Sequence, residues 1–133
     1  MSDVGDYLMK NYYSKYRGDR TDIIPDAETL ERGLAQHTDK IIVIREDGIR
    51  GVGIFVTLSD ETYTRIQQID VTQVDVLIKL LQESGPNVHF VLLCADGLHT
   101  ILAGIREVIN RVNPKTISWF DPDLKRLHRH KIE

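Results

Sequence analysis

Cysteine, proline and aromatic residues are all scarce in this chain, and no apolar run is long. The single cysteine, Cys94, excludes an intrachain disulfide and any multi-cysteine zinc site. No stretch approaches the roughly 20 apolar residues that a membrane-spanning helix needs. The opening Met1-Ser2-Asp3-Val4-Gly5-Asp6 is acidic and lacks the charged-then-apolar build of a signal peptide. A dominant charge is missing as well. Seventeen Lys and Arg against 20 Asp and Glu leave −3, which exerts no global pull on nucleic acid. There is no internal repeat, low-complexity segment or linker, and a cytoplasmic protein fits these absences. What is present is enough for one domain over residues 1–133: 41% hydrophobic residues can bury a core without covalent staples.

The stretch Asn87–Val112 organises the rest. Val88, Phe90, Val91, Leu92 and Leu93 form a nearly continuous apolar run, the mark of a strand buried on both faces. Cys94-Ala95-Asp96-Gly97 breaks it with a sharp turn. Leu98, Ile101, Leu102, Ile105, Val108, Ile109 and Val112 then recur at helical spacing and predict one buried stripe. Asn113-Pro114 ends that helix, because a residue before proline is pushed out of the helical region. In such folds a ligand usually lies beyond the strand's carboxyl end.

The flanking segments read as follows. Asp3–Tyr16 predicts a helix with Val4, Tyr7 and Leu8 inward, and Asp26 caps a second helix that carries Leu30 and Leu34. Ile41–Ile44 and Ile49–Leu58 predict two strands joined by a tight turn, since Asp47-Gly48 readily takes positive φ. Val52, Ile54, Val56 and Leu58 share one face of the second. Thr62–Ile69 alternates and predicts a third antiparallel strand. Val74, Leu77, Ile78 and Leu81 give the next helix, with Asp70 or Thr72 as its cap. Thr116–Phe120 and Leu124–His130 close the chain as a hairpin across Asp121-Pro122-Asp123.

The predicted class is α/β, with a mixed, mostly antiparallel central sheet and flanking helices. This order of elements resembles the GNAT superfamily of N-acyltransferases without its first strand. The likeness covers nearly the whole chain and lies in element order and length rather than in motif. It implies a GNAT-like domain that transfers an acyl group from acyl-CoA, acetyl-CoA among them, to a small-molecule or protein amine. The family's central strand, which meets the pantetheine arm, would correspond to Tyr63–Ile69. Its phosphate signature, Gln/Arg-x-x-Gly-x-Gly/Ala, would fall near Ile69–Val74, which makes Gln67, Ile69, Val71, Thr72 and Gln73 the cofactor-binding candidates. No glycine follows Gln67 or Gln68, and Asp70 stands where phosphate would approach. Similar domains occur in phage and prophage proteins, some of unknown activity. Pro114-Lys115-Thr116-Ile117-Ser118-Trp119-Phe120 before a basic strand is loosely similar to that group, which implies a non-catalytic binding or structural protein as the alternative.

Cys94, Asp96 and His99 are the catalytic candidates, falling within six positions at the crevice mouth. A thiol near a helix N-terminus can have a lowered pKa, with a neighbouring imidazole as base. The plain reading beside it is a small buried thiol, ordinary turn chemistry and a surface histidine. His89 within the apolar strand reads as a core or edge histidine with one satisfied hydrogen bond. His128 and His130 have metal-ligand spacing but no third ligand in sequence, so no metal is expected. Lys125, Arg126, Arg129 and Lys131 make the C-terminal hairpin basic. That pattern serves either to discourage edge pairing or to contact nucleic acid.

Overall fold

A computed structural model describes residues 3–8, 10–11, 36–68, 74–121 and 126–132. The described residues form a five-stranded sheet in the order β1 (Ile41–Arg45), β2 (Ile49–Leu58), β3 (Asn87–Ala95), β4 (Thr116–Asp121) and β5 (Arg126–Lys131). Only β3 and β4 run parallel; the other neighbours are antiparallel. The helices are α1 (Asp3–Leu8), α2 (Asp60–Thr64), α3 (Val74–Gln82) and α4 (Leu98–Val112). The α/β class and the mixed sheet are as expected. The second predicted helix and the Asp121–Asp123 turn beyond Asp121 lie outside the described residues, as do Tyr12–Tyr16.

Period-two patterning sorts β2 cleanly. Val52, Ile54, Val56 and Leu58 are buried with Leu8, Leu77, Leu80 and Leu81 on the face that carries α1, α2 and α3. Phe55 faces the other way, where α4 packs with Ile42, Val88, Phe90, Ile105, Val108 and Ile117. Burial of both faces is why β3 reads as an unbroken apolar run. The β1–β2 turn has φ of 55° at Asp47 and 101° at Gly48, the positive angles that this dipeptide accommodates.

Two expectations are corrected. The segment expected to be a third strand is helical: α2, followed by a 3-10 turn at Ile66–Gln68. Ser59 caps α2 by accepting from the Thr62 N–H, and the Glu83 carboxylate accepts from the Ser59 N–H at 2.9 Å and the Thr62 hydroxyl at 2.9 Å. Two acidic residues in the first turn favour the helix further. The stripe of α4 packs as expected at Ile101, Ile105, Val108, Ile109 and Val112, but not at its two leucines. Leu98 is 71% exposed and Leu102 41%, whereas Thr100 and Gly104 are buried. Thr100 comes close to the sheet there: a Cβ on Gly51 would lie 2.9 Å from the Thr100 methyl and 3.1 Å from Ala95. The helix therefore beds Thr100 against Gly51 of β2. Its end uses Asn113 in the left-handed region, φ 53°, with the Asn113 N–H donating to the Ile109 carbonyl.

Candidate functional site

An extra residue in β3 shapes the carboxyl end of the sheet. Ile54 pairs with Leu92 and Phe55 with Phe90, so Val91 is inserted as a bulge. Both Val91 and Leu92 pack in the cluster under α3, and alternation resumes in the opposite phase. The β3–β4 ladder runs from Asn87↔Thr116 to Phe90↔Trp119 and stops at the bulge. Past that point β3 stays with β2 as far as Ala95, and β4 stays with β5 as far as Asp121. The two parallel strands thus part at their carboxyl ends, each continuing only with its outer neighbour.

The turn after β3 forms one wall of an open cleft of about 440 Å³, lined by Glu46, Arg50, Ala95, Asp96, Gly97 and Thr100. Gly97, at φ 86°, precedes α4 and supplies no side-chain cap. The first-turn N–H groups of a 15-residue helix therefore face the cleft without side-chain help from that position. Arg50 donates through Nε to the Glu46 carbonyl at 2.9 Å and pairs with the Asp96 carboxylate at 3.3 Å. Both partners are about half exposed, so the pair is worth at most about 1 kcal/mol. The Asp96 N–H donates to the Arg50 carbonyl at 2.8 Å, and the Thr100 hydroxyl donates to the Asp96 carbonyl at 3.2 Å. Those bonds fix the turn more firmly than the ion pair does.

The three catalytic candidates are not brought together as a triad. Without the bulge, Phe90, Leu92 and Cys94 would share the face that carries α4. With it, Cys94 lies half-buried on the opposite face, packed against the cluster that includes Tyr7. Asp96 is committed to Arg50, and His99 is exposed on α4, outside the cleft lining. Tyr7 is the residue that sequence reasoning underrated. Its hydroxyl donates to the Arg50 carbonyl at 3.0 Å and is hydrogen-bonded to the Cys94 side chain. Burial first, then negative charge at Cys94 and Asp96 and the bond to Cys94, raise the phenol above its ordinary range. Tyr7 therefore keeps its proton and acts as a donor.

Of the cofactor-binding candidates, Gln67 sits in the 3-10 turn rather than on a strand, and Ile69, Val71, Thr72 and Gln73 lie outside the described residues. His89 is a buried core histidine, its Nδ1 2.8 Å from the Ser118 hydroxyl. Burial, and secondarily Arg129, push its pKa down to about 4. On the basic hairpin, His130 stacks on Trp119 with centroids 5.2 Å apart, and Lys131 is exposed. Lys125 and the His128 side chain lie outside the described residues. Among the described residues no three His, Cys, Asp or Glu side chains gather as metal ligands, and no helix is long and apolar enough to cross a membrane. No protein-family model matches the chain, and no curated protein matches it in sequence.

Proposed function

We propose that this chain is a GNAT-like N-acyltransferase that takes its acyl group from acyl-CoA and passes it to an amine. The parting of β3 and β4 beyond Phe90 and Trp119 carries this reading. A gap between parallel strands admits an extended thioester arm, and backbone groups along the gap can hold it as a strand would be held. The start of α4 favours an anion by its dipole, which supports a phosphate end beside Gly97–Thr100. Chemistry in such a site is chiefly alignment of an amine with the thioester carbonyl. As the C–N bond forms and the C–S bond breaks, the leaving thiolate needs a proton. The amine loses one proton as the amide forms, and that proton balances the charge of the thiolate.

A second reading has its own observation. Glu46 and Asp96 place two carboxylates in the cleft, which opposes phosphate and favours a GNAT-like binding module that does not use the cofactor. Calorimetric titration with acetyl-CoA and a longer acyl-CoA separates the two. The transferase reading expects binding that weakens in Leu98→Glu, an exposed substitution that adds a charge at the start of α4. No binding at millimolar ligand overturns it in favour of the module.

A further inference from the structure

Tyr63 spans the sheet just below the gap. It projects from α2 into the cluster that contains Val91 and Leu92, the two bulge residues of β3. The Arg129 guanidinium of β5 lies 5.0 Å from its ring centroid. His89, Ser118 and Arg129 form a row by strand pairing, and the ring meets that row at its Arg129 end. The next residue pair along these strands, Phe90↔Trp119, is the last rung before β3 and β4 part.

The Tyr63 hydroxyl is sealed from solvent and makes no hydrogen bond among the described residues, and the residue is only 8% exposed, while Ser118 and His89 satisfy one another. A buried, unsatisfied hydroxyl costs stability, and phenylalanine would fill the same space without that penalty. The geometry points to the Tyr63 hydroxyl as a donor reserved for a carbonyl oxygen of a thioester arm that wedges between β3 and β4. This assignment rests on the acyl-CoA reading and adds to it a residue that positions the ligand at the inner end of the gap. The cation over the ring face holds the phenol in place while the hydroxyl awaits its acceptor.

The test is Tyr63→Phe in the full chain, melted without ligand and titrated calorimetrically with acetyl-CoA beside the wild type. The variant should melt about 3 °C higher, because an orphan hydroxyl has been removed. Its affinity for acetyl-CoA should fall about tenfold, the worth of one buried hydrogen bond. Wild-type binding retained in full by Tyr63→Phe overturns this inference alone. A lower melting temperature also overturns it, since the hydroxyl would then have a partner in the free protein. Absence of wild-type binding overturns the acyl-CoA reading and this inference with it.

Discussion

Lowering the pH from 7 to 4.5 should cost the fold about 2 kcal/mol through His89 alone. The ring is 6% exposed, and burial with Arg129 nearby pushes its pKa from the ordinary 6.5 down to about 4. In the unfolded chain the imidazole gains its proton as pH falls through 6.5; in the folded chain it stays neutral until about 4. The folded value is the lower one, so the stability is complete above 6.5 and is lost as pH falls. At about 1.4 kcal/mol per pH unit the whole interval is worth about 3 kcal/mol, most of it spent by pH 4.5. For a chain of this size that corresponds to a Tm lower by about 8 °C. Urea unfolding at several pH values should compare the wild type with His89→Gln, whose amide can still reach Ser118 but does not titrate. The stability difference between the two should change by about 2 kcal/mol across this range, in favour of the variant as pH falls. Parallel curves from pH 7 to 4.5 would refute the reasoning.

Three further outcomes follow from local geometry. Gly104→Ala should stabilise α4 by roughly 1 kcal/mol, because the new methyl meets nothing closer than the Ile42 Cγ2 at 4.0 Å; a thermal melt that does not rise would contradict this. Gly85→Ala should destabilise by roughly 3 kcal/mol, since its Cβ would lie 2.2 Å from the Leu58 carbonyl carbon and oxygen, which are backbone and cannot swing aside. Denaturant midpoints that match the wild type would count against it. The hydrogen bond from Asn87, and then Lys115, hold the Asp60 carboxyl below the usual carboxylate range. Its contribution is present above pH 3.8 and is lost as pH falls through its folded value. Asp60→Asn should therefore show a shallower loss of stability than the wild type in acid melts below pH 4.

The strands were legible wherever one residue in two faces each side. Ile49–Leu58 was readable end to end, and Asp47-Gly48 announced the hairpin. The alternation of Tyr63, Arg65 and Gln67 misled, because the decisive partner of the Ser59-Asp60-Glu61-Thr62 cap is Glu83, remote in sequence and joined only by the fold. Helical spacing was a sound guide for Ile101, Ile105, Val108, Ile109 and Val112 but not for the exposed Leu98 and Leu102; the close approach of Thr100 to Gly51 joins residues remote in sequence. At the site, Cys94, Asp96 and His99 were visible as sequence neighbours. Their separation was not, because it depends on a single inserted residue, Val91, that reverses the alternation of β3. Tyr7 was legible as an inward residue of its helix, but its bond to Arg50 was not, because strand register and tertiary packing bring the two together and no local pattern encodes that.

The most direct test of the proposed function is amide chemical-shift mapping by NMR during titration with acetyl-CoA. A ligand between the parted strands should shift Val91–Ala95 on β3, Trp119 on β4 and Gly97–Thr100 at the start of α4, with α1 moving only near Tyr7. Saturating ligand that moves none of these amides, or moves only those around Val74 at the start of α3, would contradict the placement of the cofactor in this gap.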